Sequence, residues 1–119
     1  TVVCIHDRIL GKPADRKEAI SMLQELSGNR HLVVTGVSVT TRTEQLSFSS
    51  RTDVFFKHLS NEEIIFYVDT YKPFDKAGAY GIQEWIGYIG IERIEGSFYN
   101  VMGLPIQKLY ETLRKLQFQ

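Results

Sequence analysis

Three stretches of this chain concentrate side chains that can do chemistry. Ile9-Leu10-Gly11-Lys12-Pro13 sets a lysine between a glycine and a proline. Such a turn can present an ammonium to a phosphate as a compact point charge. The same residues also read as a solvated loop lysine, since Lys is mostly exposed. Asp75-Lys76-Ala77-Gly78-Ala79-Tyr80-Gly81-Ile82-Gln83 puts a carboxylate, an ammonium and an amide within nine residues, spaced by glycines and alanines that let a ligand approach the backbone closely. That inventory suits a polyphosphate with its metal: oxygen for a hard divalent cation, a cation for phosphate and an amide for a base edge. A glycine-rich turn between two elements explains the same composition. The third stretch, Glu95-Gly96-Ser97-Phe98-Tyr99-Asn100-Val101-Met102-Gly103-Leu104-Pro105, places an aromatic pair among glycines just before a helix. A helix N-terminus can help to hold an anion, but capping and packing account for the pattern better.

Other chemistries find little footing. Neither a P-loop nor a Gly-x-Gly-x-x-Gly fingerprint occurs. No Gly-x-Ser-x-Gly elbow is present. His6, His31 and His58 are dispersed without metal-ligand spacing, and Cys4 has no cysteine partner, which argues against a zinc site. Cys4 reads as a small buried hydrophobe in a strand. Arg51 and Asp53 read as a surface ion pair, and Trp85 and Tyr88 as strand aromatics of the core rather than base-stacking platforms.

The elements that must position these residues follow from periodicity. Thr1 to Leu10 reads as a strand, a turn near Asp7-Arg8 and a second short extended piece. Asp15 and Glu18 form an Asp-x-x-Glu capping box ahead of a helix whose apolar face is Ala19, Ile20, Leu23 and Leu26, and Gly28 stops it. His31 to Thr41 alternates, with Val33, Thr35, Val37 and Val39 on one side. Gln45 to Lys57 does the same with Leu46, Phe48, Val54 and Phe56, so the two make a long hairpin. A second capping box, Ser60 to Glu63, opens a helix with Ile64, Ile65, Val68 and Tyr71 as its buried stripe, ended by Pro73. Glu84 to Ile94 has a strand-like pattern, and Pro105 begins a last helix with Ile106, Leu109, Tyr110, Leu113 and Leu116 on its apolar face. The expected architecture is α/β, a mixed sheet with a long hairpin and helices packed on it.

Composition bounds the classes of function. With 119 residues the chain fits one domain, residues 1–119, against a prior of about 150 residues per domain. One cysteine excludes an internally disulfide-bonded secreted scaffold. No apolar run approaches the ~20 residues of a membrane-spanning helix. Fourteen Lys and Arg against fourteen Asp and Glu argue against a strongly basic nucleic-acid domain. The lone cysteine and the lack of a signal segment point to the cytoplasm. The chain opens Thr1-Val2-Val3-Cys4-Ile5, a strand already in progress, which is read as the cut end of a longer protein.

Taken in order, Thr1-Val2-Val3, Leu10-Gly11-Lys12-Pro13, Leu26-Ser27-Gly28, Val34-Thr35-Gly36-Val37, the nine-residue block ending at Gln83, Glu92-Arg93-Ile94-Glu95-Gly96 and Asn100-Val101-Met102-Gly103-Leu104-Pro105 closely resemble the Maf family of septum-formation-inhibitor-like nucleoside triphosphate pyrophosphatases. The likeness runs the whole length of the sequence. It implies an elongated α/β fold, similar to that of inosine triphosphate pyrophosphatases. It also implies hydrolysis of a nucleoside triphosphate between its α- and β-phosphates, with a divalent cation, Mg or Mn. The Asp-Lys-Ala-Gly-Ala-Tyr-Gly-Ile-Gln form is similar to the branch acting on dTTP and UTP.

By that resemblance Lys12 contacts phosphate and stabilises transition-state charge. Asp75 and Lys76 form the polar pair beside the triphosphate, Asp75 holding a residue, water or metal. Thr1 and Gln83 match the specificity positions, where an amide suits the O4 and N3–H edge of thymine or uracil. Glu95 belongs to a family motif without a catalytic part assigned to it. The family pattern has an Asp directly before the position of Thr1 as proton acceptor, with a Ser-x-Arg-Arg motif further upstream. None of these is in the sequence, so the resemblance implies that this stretch alone is weakly active or inactive, a lost general base costing ~10²- to 10⁴-fold. A homodimer is expected on the same ground. The competing expectation is a non-catalytic nucleotide- or protein-binding module in cell division. A nucleic-acid binder, which predicts a steep salt dependence, is least favoured by the balanced charge.

Overall fold

A computed structural model describes residues 1–96, 101 and 106–117. β1 (Val2–Ile5) turns back into β2 (Arg8–Leu10) through His6 and Asp7, both at positive φ (50° and 61°), the backbone that a tight hairpin needs and that His and Asp tolerate better than most residues. β3 (Arg30–Thr40) and β4 (Gln45–Phe56) pair along their whole length, from Arg30 opposite Phe55 to Thr40 opposite Gln45, which is the expected long hairpin. With β5 (Ile91–Glu95) they form a five-stranded sheet in the order β2-β1-β3-β4-β5. The α/β class, the hairpin and the helices laid on the sheet match the expectation; among the described residues every strand pair is antiparallel rather than mixed.

One face of the sheet carries the core. Val3, Ile5, Val33, Val54 and Phe56 point to it and are buried, as strand alternation requires. Cys4 falls between Val3 and Ile5, so it takes the other face and is only half-buried, not the core residue that was expected. Helix α1 (Arg16–Leu26) lays Ala19, Met22, Leu23 and Leu26 on the core. Asp15 caps it by accepting the Glu18 N–H at 2.8 Å, but the Glu18 carboxylate reaches the Ala14 N–H rather than closing the box on Asp15. The capping box of α2 (Asn61–Tyr71) is complete: Ser60 and Glu63 each accept the other's backbone N–H, and this bond to Ser60 holds the Glu63 carboxyl below its usual range.

Three expectations are corrected. The stripe of α2 is Ile64, Tyr67 and Val68, whereas Ile65 and Tyr71 are exposed, because the core-facing sector runs through positions 64, 67 and 68 and Ile65 lies about 100° around the helix from Ile64. Trp85–Gly90 is a helix, α3, not the beginning of a strand. Ile86 and Gly90, four residues apart, are its buried face; the alternation through Trp85, Gly87 and Ile89 coincided with helical spacing. The strand begins only at Ile91, where the chain pairs with Phe56 after the Gly90 carbonyl accepts the Lys57 N–H at 2.8 Å. Finally, α4 (Ile106–Gln117) is helical, yet Tyr110 and Leu113 of its apolar face are exposed and Leu109 is half-buried among the described residues. Pro105 and the segments 97–100 and 102–105 of the third candidate stretch lie outside the described residues, as do the side chains of Ile106 and Leu116.

Candidate functional site

Lys12 follows the short strand β2, and Asp75 and Lys76 follow α2, 63 and 64 residues later in the chain. The sequence between them folds so that these groups meet. A 3-10 turn, Ala77–Ala79, lies under β1 and the end of β2, and Gly78 donates its N–H to the Gly11 carbonyl at 3.1 Å. Gly78 is at φ +71°, with the space where a Cβ would stand 3.1–3.2 Å from all three branch carbons of Val3. Only glycine suits both the backbone and the clearance.

This stapling opens a cavity of about 620 Å³. Thr1 and Lys12 line it together with Asp75, Lys76, Gln83 and Glu84 from much later in the chain. Every residue that the sequence put forward for phosphate or base contact therefore borders the same space, with Val3 and Val33 as its apolar floor. Lys76 Nζ lies 3.2 Å and 3.4 Å from the two Asp75 carboxylate oxygens. That hydrogen bond, with the Lys12 ammonium adding its field, holds the Asp75 carboxyl below the usual range, so it is ionised at neutral pH. Thr1 keeps its hydroxyl 3.0 Å from that of buried Thr35 on the neighbouring strand.

Gln83 sits at the apex of a tight turn. Glu84 N–H donates to the Gly81 carbonyl at 3.0 Å, leaving Ile82 and Gln83 as the two central residues. Ile82 points into the core and Gln83 outward to the cavity rim. Behind the turn stands Tyr67 of α2, fully buried, whose hydroxyl bonds to two residues that line the cavity: it accepts the Gly81 N–H at 3.1 Å and donates to Glu84 Oε1 at 2.8 Å. Burial, and then the bond to Glu84, push the Tyr67 phenol far above its ordinary value, so it remains a donor.

Sequence reasoning missed Tyr67 and Glu84. The signal for Tyr67 was its place three residues after Ile64 on the core side of α2, where a phenol needs a polar partner. Tyr80 stands within the same nine-residue block. It is buried, lines the cavity with its ring, and its hydroxyl lies 2.6 Å from His31 Nε2. His31 packs between Phe56 and Tyr80, and its Nδ1 has no partner among the described residues. Burial lowers its pKa to about 4, so the imidazole is neutral.

The remaining candidates stay apart from the cavity. His6 is exposed beside Glu25, 3.4 Å away, and among the described residues no three His, Cys, Asp or Glu side chains gather as a metal group would. Glu95 is exposed and pairs with Arg93 at 3.2 Å; no Arg51–Asp53 ion pair forms among the described residues. Trp85 packs edge-on against Phe66, and Tyr88 is exposed rather than in the core. No helix of the described residues is long and apolar enough to cross a membrane.

The fold and the cavity together define a class: an α/β domain whose sheet and glycine-rich turn border a cleft lined by two lysines, two carboxylates and an amide. The chain belongs to the Maf family, whose model, described as Maf-like protein, matches residues 1–116. It is 60% identical over 116 residues to a dTTP/UTP pyrophosphatase of Bacteroides thetaiotaomicron, an alignment covering 98% of this chain and 60% of the relative. A protein of the same description from Porphyromonas gingivalis is 60% identical over 114 residues, covering 96% of this chain and 57% of the relative. The one from Cytophaga hutchinsonii is 50% identical over 116 residues, covering 98% and 53%. The chain thus spans little more than half the length of these curated relatives.

Proposed function

We propose that this chain carries the nucleotide cleft of a pyrophosphatase that hydrolyses dTTP and UTP to the monophosphate and pyrophosphate. The observation that carries the reading is the convergence of Lys12, Asp75, Lys76 and Gln83, from separate parts of the chain, on one cavity. Two ammonium groups in an open cleft offset a triphosphate's charge, and Lys12, which makes no ion pair among the described residues, is placed to stabilise the charge that builds as the α–β bond breaks. Lys76, already held by Asp75, fixes the phosphate chain by position. Gln83 and Thr1 border the cavity where they can receive the base. The names of the relatives support the choice of dTTP and UTP.

A divalent cation, Mg or Mn, fits this donor set. Magnesium is usually held by one or two carboxylates together with substrate phosphates and water. Ionised Asp75 is the carboxylate that would hold it, exchanging its contact with Lys76 for the cation; Glu84, one oxygen of which accepts from Tyr67, lines the same cavity. The cation would polarise a phosphoryl oxygen. The proposal includes a homodimer in the cytoplasm, the first supported by the family resemblance and the second by the single cysteine. Neither nucleic acid nor membrane is part of it.

The test is pyrophosphate release from dTTP, UTP, CTP and ATP with Mg²⁺ or Mn²⁺, by this chain and by the chain extended to the length of its relatives. The expected result is release from dTTP and UTP by the extended protein. Nucleotide binding without turnover there would overturn the enzymatic reading in favour of a binding module.

A further inference from the structure

We propose that Tyr67, which is fully buried and does not itself line the cavity, is the positioning residue for base discrimination by Gln83. The inference rests on the reading of the cleft given above. A glutamine amide presents one donor and one acceptor. In one sense it complements the O4 and N3–H edge of uracil; turned over, it complements the N4–H and N3 edge of cytosine equally well. The amide turns over about its own side-chain torsion, so the backbone that carries Gln83 acts by setting where the amide meets the base edge, and with it which sense is favoured there.

The structure holds it from behind. Ile82 and Gln83 are the central residues of a turn closed by Glu84 N–H to the Gly81 carbonyl at 3.0 Å. The Tyr67 hydroxyl engages both ends of that turn, accepting from Gly81 N–H at 3.1 Å and donating to Glu84 Oε1 at 2.8 Å. Its ring is fully buried and stacked on Tyr71 at 5.2 Å, so the hydroxyl is a fixed point rather than a mobile one. Side chains close over Gly81: a Cβ there would stand 2.6 Å from Glu84 Oε1 and 2.9 Å from Lys76 Cε. The hydroxyl thus ties the base-facing turn to the same helix that leads into Asp75 and Lys76. Base and phosphate contacts share one reference.

The experiment compares Tyr67→Phe with the unaltered full-length protein, measuring kcat and KM for UTP and CTP and, independently of turnover, hydrogen exchange at the Gly81 amide. The expected result is a roughly tenfold fall in the preference for UTP over CTP, carried mainly by KM, as for one lost hydrogen-bonding group, with faster exchange at Gly81. Glu84→Gln, which keeps an acceptor for the phenol, is expected to preserve more of the preference than Glu84→Ala. These two variants also serve if Tyr67→Phe does not fold. An unchanged UTP preference in Tyr67→Phe, or a parallel loss on both nucleotides with Gly81 still protected, overturns the inference. If the unaltered protein hydrolyses neither UTP nor dTTP, the reading of the cleft fails first, and this assignment falls with it.

Discussion

Gly78 donates its backbone N–H to the carbonyl of Gly11 at 3.1 Å, and this bond joins the turn that carries Lys12 to the turn that follows Asp75 and Lys76. Neither partner offers a side chain, so the contact depends on how near two backbones can come. Val3, packed 3.1–3.2 Å from the place of the missing Cβ, closes the remaining space. The positive and negative groups of the cleft are brought together by a residue that has no charge.

Gly78→Ala is expected to cost about 2 kcal/mol or more, from the left-handed backbone and the clash with β-branched Val3. Gly11→Ala meets nothing within 4 Å and has no positive φ, so its change is expected within about 0.5 kcal/mol. Urea unfolding of both variants reads the contrast. Equal losses would show that the close approach does not set the geometry.

Lys12→Ala should lower pyrophosphate release about 10²- to 10³-fold through kcat, as removal of a charge-stabilising donor does. Because Lys12 is exposed, the unfolding midpoint should not move. A variant that loses stability together with activity would place Lys12 in the scaffold instead.

The buried imidazole makes stability depend on pH. His31 has its folded pKa lowered by burial to about 4 from 6.5, so between these values the unfolded chain binds more protons than the folded one. Its contribution is complete above the unfolded value and is lost as pH falls through the folded one, a difference on the order of 3 kcal/mol. Denaturation of the unaltered protein and of His31→Gln, at about pH 7 and about pH 4.5, isolates this share from that of the carboxylates. Equal pH slopes for the two proteins would contradict it.

Gly87 lies so close to the turn that a Cβ would overlap the carbonyl of Ile82. Gly87→Ala must push that carbonyl, and with it Gln83, at a cost of about 1–3 kcal/mol typical of overpacking. Calorimetry of nucleotide binding should show weaker affinity along with the lower melting temperature. Unaltered affinity would mean that Gln83 is not tied to α3 through Ile82.

Residue types and local spacing alone determined much of this protein. The hairpin of β3 and β4 was legible because its side chains alternate on a half-buried sheet, and the start of α2 because Ser60 and Glu63 satisfy each other's backbone within four residues. The composition of the block from Asp75 to Gln83 suited a polyphosphate site and a glycine-rich turn alike, and its likeness to a family favoured the first and supplied the companions Lys12 and Thr1. Local signals failed at Trp85–Gly90, where strand and helix spacings coincide, and for Cys4, whose burial depends on which sheet face the helices cover. Only the tertiary structure decided that Lys12 and Gln83 border one cavity and that Tyr67 stands behind the turn. Those relations are made by backbone contacts and side chains far apart in the chain, between groups whose types carry no mark of each other, and packing alone selects which of them meet.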